Sequence, residues 1–283
     1  MSNLDSMQRF TFDKTDVRGE LVGLHKSLQS VLSKHDYPEA LKIELGKLMV
    51  ASALMSATLK YEGRLSLQVR LPGDVSLIQA ETTNTGEMRA IARYDESVKD
   101  QIDTIDLQGG QLVITLEPAV GKPYQGVVPL DSNHLNEAFE YYFSQSEQLG
   151  SRFWLESDGI VASGFMLQQL PASEQSDPDA WDRLSHLAST LKDSELLTLD
   201  NQTLLHRLYH EEQVRLYEET PLHFSCTCSK ERIGHAIEKL GYDELMDVIA
   251  EQGKVSVDCQ FCLQHYSFDT QQVKELFPEK KIH

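Results

Sequence analysis

Four cysteines occupy positions 226, 228, 259 and 262 of a 283-residue chain, and no thiol precedes them. They read Cys226-Thr-Cys228, a gap of thirty residues, then Cys259-Gln-Phe-Cys262. Two close pairs across a long gap is the spacing of a metal site. Four thiolates can close a tetrahedron around one ion, and soft sulfur ligands select zinc. The first pair has one intervening residue where zinc ribbons commonly have two. Both of its sulfurs can still reach a single ion at about 2.3 Å each. Between the pairs, Ile233, Ala236, Ile237 and Leu240 follow a helical period that Gly241 stops. A second helix is expected through Leu245, Val248 and Ile249 to Gly253, then a strand, Val255 to Val257, leading into Cys259. Such a small module has a thin core, so a bound metal would supply much of its stability.

Three chemistries fit these residues. The plainest is a structural zinc, the usual role of a four-cysteine site. A thiol oxidoreductase could use Cys259 and Cys262, but that needs the preceding strand and following helix of a thioredoxin-like unit and leaves the other pair unexplained. The third is a redox switch. Oxidation within each close pair would give Cys226–Cys228 and Cys259–Cys262, both local, with no link left across the gap. The module would lose an apparent metal contribution of roughly 10–16 kcal/mol. Closing such small rings would return little, and a bridge over one residue is strained and easily reduced.

Other candidates are weaker. His206 and His210 stand four apart, followed by Glu211 and Glu212, yet no glutamate follows the first histidine as in a zinc protease. They read as a packing or solvated pair. His265 could replace one cysteine, but four thiolates already fill a tetrahedral site. No Walker loop, GxGxxG or GxSxG motif occurs.

The elements that must position the cysteines follow from periodicity. Phe10, Phe12 and Val17 suggest an opening strand, and a buried helix is expected from Pro38 to Tyr61. Strands are expected through Leu65 to Leu71, Val75 to Leu77, Met88 to Tyr94 and Leu112 to Leu116, then a helix around Phe139. A hairpin of Arg152–Ser157 and Ile160–Leu167 is expected around a type I′ Asp158-Gly159 turn. After a polar linker from Pro171 to Pro178, a helical stretch runs to about residue 220, with an apolar stripe through Trp181, Leu184, Leu187, Ala188 and Leu191. The expected fold is α+β: a mixed helix/antiparallel-sheet domain over 1–172, a helical linker region over 173–220, and a small cysteine module over 221–283.

Composition bounds the partners. Up to position 220 there are 19 basic and 34 acidic residues, net −15; the remainder has 7 against 10, net −3. Neither part offers by count the cationic face that nucleic acid requires, Lys280-Lys281 being a local basic pair. No apolar run is long enough to cross a bilayer, and the first residues lack a secretory pattern. The expectation is a cytoplasmic protein with no membrane or nucleic-acid partner, whose cysteines are metal-bound or redox-active rather than a disulfide frame.

The segment from Cys226-Thr-Cys228-Ser-Lys-Glu-Arg232 through Cys259-Gln-Phe-Cys262-Leu-Gln-His-Tyr-Ser-Phe268 resembles the bacterial redox-regulated holdase chaperones of the heat-shock protein thirty-three family. Arg18-Gly-Glu-Leu-Val22, Tyr124-Gln-Gly-Val-Val-Pro-Leu130, Gln145-Ser-Glu-Gln-Leu149 and Leu204 through Glu212 are similar to further blocks of that family, in order. Leu149-Gly150-Ser151 lacks a proline common there, and Ser163-Gly164 stands where paired glycines are expected. The resemblance implies an ATP-independent chaperone, not an enzyme, with one zinc held by Cys226, Cys228, Cys259 and Cys262 in an inactive reduced state. It implies that oxidation forms the two local disulfides, releases zinc and disorders the middle helices. The oxidised homodimer then holds unfolding client proteins.

Overall fold

A computed structural model describes residues 4–59, 61–171 and 177–277 of the chain. Most of the expected polar linker, and the Lys280-Lys281 pair, lie outside the described residues. The chain divides into two compact units, Met1–Ser225 and Cys226–His283.

The first unit is built on two sheets with a helix between them. One sheet has the order β10-β1-β2-β9-β8, from β1 (Ser6–Phe12), β2 (Val17–Leu24), β8 (Ser151–Ser157), β9 (Ala162–Gln169) and β10 (Val214–Pro221), all antiparallel. The other has the order β11-β5-β4-β3-β6-β7, from β3 (Gly63–Arg70), β4 (Val75–Thr83), β5 (Glu87–Tyr94), β6 (Gln111–Pro118), β7 (Tyr124–Pro129) and β11 (His223–Phe224). Its pairings are antiparallel except the short parallel β11–β5 contact. α1 (Lys26–Leu32) and α3 (Leu135–Tyr142) flank this frame.

The helix between the sheets is α2 (Glu39–Thr58), which touches β2, β8 and β9 of one sheet and β3, β4 and β5 of the other. A helix covered on both sides cannot be amphipathic, and its apolar and small residues accordingly run all round. Close approach on this side depends on glycine. A Cβ at Gly164 of β9 would lie 2.1 Å from Val50 Cγ1 and 2.9 Å from Leu54 Cδ1 of α2.

The opposite face of the first sheet carries Phe10, Phe12, Val17, Leu21, Phe165 and Leu167. Phe10 stacks on Phe165 with ring centroids 5.5 Å apart, and Phe12 meets Tyr209 edge-on at 4.8 Å. Three short helices cover this platform: α4 (Ala180–Ala188), α5 (Asp193–Thr198) and α6 (Asn201–Tyr209). They bury Leu184, Leu196, Leu204, Leu205, Leu208 and Tyr209 against it. The apolar stripe expected there is present, with Leu184 and Ala188 fully buried and Trp181, Leu187 and Leu191 partly so.

Two local expectations are corrected. Residues 214–221 form a strand rather than a continuation of the helices, pairing with β1 through Phe12↔Val214 and Phe10↔Leu216. A tertiary partner some two hundred residues away outweighs local helical preference, as strands are stabilised mainly by their neighbours. The β8–β9 hairpin turns over four residues, 158–161, because Ser157 pairs with Ala162. Asp158 Oδ1 accepts the backbone N–H groups of Ile160 and Val161, each at 2.8 Å, and only Gly159 takes positive φ. A type I′ turn requires positive φ at both central residues.

The second unit comprises α7 (Lys230–Glu238), α8 (Tyr242–Gln252), the antiparallel pair β12 (Val255–Asp258) and β13 (His265–Phe268), and α9 (Thr270–Leu276). Its buried apolar core is Ile237, Leu245, Ile249, Val255, Phe268 and Val273. Gly253 ends α8 in a left-handed conformation, φ 80°, as the sequence pattern predicts.

Candidate metal centre

Two loops of the second unit bring the cysteines together. The first precedes α7, whose N-cap Ser229 accepts the Arg232 N–H at 3.2 Å. Arg232 then turns back, its Nη1 donating to the Thr227 carbonyl at 2.9 Å and to Thr227 Oγ1 at 2.7 Å. This pins the residue between Cys226 and Cys228, fixing a pair that has only one intervening position. The second loop is the knuckle joining β12 to β13. The Cys259 N–H donates to Gln264 O at 3.0 Å and the Leu263 N–H to Cys259 O at 2.8 Å, with Leu263 in the left-handed region at φ 61°.

All four sulfurs lie within 4.8 Å of one another. Cys226 Sγ is 3.7 Å from Cys259 Sγ, and Cys228 Sγ is 3.4 Å from Cys262 Sγ. The edge of a sulfur tetrahedron around zinc is about 3.8 Å, given metal–sulfur bonds near 2.3 Å. The spacing therefore fits a four-thiolate ion, and it is too wide for a disulfide. Cys259 is buried and the other three are half-buried.

Electrostatics also fits a cation. Burial, then the neighbouring sulfurs, pushes the Cys262 thiol up to about 12. Burial likewise raises Cys259, with Cys226 adding to it. Cys228 differs. Burial pushes it up, but the Tyr266 hydroxyl donating at 3.1 Å, with help from the other sulfurs, brings it below its ordinary value. Crowded thiols resist joint ionisation, and a divalent cation inverts that preference.

The other sequence candidates lie elsewhere. His265 Nδ1 is 2.7 Å from Asp258 Oδ1, and among the described residues the metal-capable cluster consists of the four cysteines without it. His206 and His210 lie at the end of α6 with ring centroids 6.3 Å apart, in no such cluster. Cys259-Gln-Phe-Cys262 is followed by β13 rather than a helix, so the thioredoxin-like arrangement is absent at this pair. Sequence reasoning missed Arg232 and Tyr266. The strand-like alternation of His265-Tyr-Ser-Phe268 after the knuckle was the available signal for the second.

A family model described as Hsp33 protein matches residues 5–269. The 33 kDa chaperonin of Pseudomonas syringae pv. syringae is 48% identical over 282 residues, covering 97% of this chain and 94% of its own. That of Pseudomonas aeruginosa strain PAO1 is 46% identical over 284 residues, covering 98% and 96%. In fold, the chain is similar to the crystal structure of the 33 kDa chaperonin from Thermotoga maritima, with a TM-score of 0.80 at 23% identity over 96% of this chain and 97% of that one. Nearly half the residues are shared with the two pseudomonad proteins from end to end, and the matched span takes in both sheets and all four cysteines, so the chain belongs to the Hsp33 family.

Proposed function

We propose that this chain is a redox-gated, ATP-independent holdase whose reduced, zinc-bound form is inactive and whose oxidised form binds unfolding proteins. Family membership supports the chaperone reading over an enzymatic one. The observation that carries the redox gate is the cysteine cluster, in which loops more than thirty residues apart supply sulfurs within 4.8 Å of one another. Cys226, Cys228, Cys259 and Cys262 would hold one zinc ion, which when bound clips the two loops together and contributes roughly 10–16 kcal/mol of apparent folding free energy.

The remaining steps belong to the chain itself. Each thiolate pair gives up two electrons to form one S–S bond, and one peroxide molecule accepts them, takes two protons from solvent and leaves as two waters. Two peroxides therefore oxidise the site. Proximity in the folded cluster does not select partners, because every sulfur is near every other. Once the module loosens, Cys226 stays beside Cys228 and Cys259 beside Cys262 by chain connection alone, so the local pairs win on loop closure. Such pairs leave the two loops unlinked, and six buried apolar side chains are a small core to hold them.

The client surface in this reading is the platform of Phe10, Phe12, Val17, Leu21, Phe165 and Leu167. β10 ends at Pro221 and the first cysteine follows at 226, so the covering helices are close in sequence to the module. Residues 1–172 would act as the core, the helices within 173–220 as the redox-sensitive cover and 221–283 as the switch, with β10 staying in its sheet. On the family resemblance, the oxidised form pairs with a second copy and works in the cytoplasm. Neither a nucleic acid nor a membrane is a partner. The net charge of −18 supports the first exclusion, and no helix among the described residues is long and apolar enough to cross a membrane.

The test is light scattering from a thermally unfolding client, with the protein added reduced and zinc-loaded or oxidised by peroxide. Suppression by the oxidised form alone is expected. Equal behaviour of both forms would reduce the zinc to a structural clip.

A further inference from the structure

We infer that Tyr266 is a positioning residue that shields Cys228, setting it apart from the other sulfurs in reactivity toward electrophiles. The inference rests on the four-thiolate reading of the site. Tyr266 stands on β13, opposite Val257 of β12, four residues beyond Cys262. The knuckle reverses the chain there, so the phenol leaves the second loop and its hydroxyl donates across to Cys228 Sγ of the first at 3.1 Å. Cys259 and Cys262 take backbone N–H groups of their own knuckle. Cys228 therefore receives a donor from a side chain of the opposite loop, and one that a single substitution can delete.

The chemistry follows from what a hydroxyl does to sulfur. An O–H donor occupies a lone pair and withdraws charge, so the sulfur stays available to a cation yet becomes a poorer nucleophile. Attack on an electrophile must break that hydrogen bond, so its presence slows the sulfur severalfold. Peroxide and alkylating agents meet the same lone pair. Loss of the hydroxyl removes the shield while the ring and its packing remain.

Tyr266→Phe tests this in the full chain. The reduced, zinc-loaded protein is pulsed with iodoacetamide, and each cysteine is quantified by peptide mass spectrometry. In Tyr266→Phe, Cys228 should alkylate roughly three- to tenfold faster, with Cys259 and Cys262 nearly unchanged. An unchanged Cys228 rate overturns the inference. So does a parallel rise at all four cysteines, which would reflect loosened packing. Zinc competition with a chromophoric chelator is run on the wild type alongside. Failure to bind zinc there would overturn the four-thiolate reading and the shielding with it, whereas tight zinc binding with an unchanged Cys228 rate overturns the shielding alone.

Discussion

Leu184→Ala should activate the chaperone without oxidant. Leu184 is fully buried in α4, within the cluster that seals the platform of β1, β2 and β9. Its backbone carbonyl also accepts the Tyr209 hydroxyl at 3.2 Å, a bond that the substitution leaves in place. The perturbation is thus confined to apolar contact. Truncating a buried leucine to alanine destabilises by about 2–5 kcal/mol. The helices it anchors have nine, six and nine residues. Helices of that length are marginal alone, so nearly all their stability comes from the face being truncated. A loss of about 3 kcal/mol raises the open population about 150-fold, at 1.4 kcal/mol per factor of ten.

Amide hydrogen exchange reads that change directly. In the reduced, zinc-loaded variant, amides of α4, α5 and α6 should exchange about two orders of magnitude faster, and those of α2 should keep their protection. Client light scattering should then show suppression in reductant. Two results would refute the reasoning. Faster exchange in the cover with no holding activity would mean the platform is not the client surface. Equal acceleration in α2 would mean that cover and core open as one unit.

Two further outcomes are expected. Replacing Cys226 and Cys228 together by serine should abolish tight zinc binding in reductant and melt α7 and α8, read by chelator competition and far-UV circular dichroism; tight zinc retention would sink the four-thiolate site. Asp5 is held below its ordinary carboxylate value because, against the opposing effect of burial, it accepts the backbone N–H groups of Ser27, His25 and Lys26. A depressed carboxylate stabilises the fold above its unfolded value of 3.8 and loses that contribution as pH falls through the folded value. Asp5→Asn turns the oxygen that accepts from Lys26 into a donor and removes the charge, so it should lower the neutral-pH stability by about 1 kcal/mol and flatten the acid limb of the melting-temperature profile below that pH. An unaltered limb would count against the assignment.

What the sequence disclosed tracks how local each determinant is. Each close cysteine pair, the stop at Gly253 and the stripe through Leu184 are visible within a dozen residues and lie where the pattern placed them, whereas α7 already ends at Glu238 and Gly241 opens α8. β10 was not legible, because its partner β1 lies about two hundred residues away and its own side chains are mostly exposed. Nor was the four-residue turn after Ser157, where the Asp158 carboxylate holds two extra residues that an Asp-Gly pair does not announce. The Tyr266 contact joins residues 38 apart and depends on the knuckle reversing the strand.

Gating also requires that the cover open while the frame stays shut, and the packing on the two faces of β9 explains how one sheet can do both. Toward α2, Gly164 allows an approach so close that a methyl group would overlap Val50 and Leu54, so this interface admits no looser register. α2 is a single helix of 20 residues held from both sides by separate sheets, and opening it would expose two apolar surfaces at once. Toward α4, α5 and α6, Phe165 lies beside the Phe10 and Trp154 rings of its own sheet and meets the Tyr209 ring of α6 across an interface closed by three short helices. Losing that contact exposes one face only and leaves every hydrogen-bonded ladder of the sheet intact. The difference between the faces is therefore one of cooperativity as much as area. A platform that remains a rigid pleated surface after its cover departs can present aromatic rings to a client in a fixed array, with little ordering cost at the moment of binding.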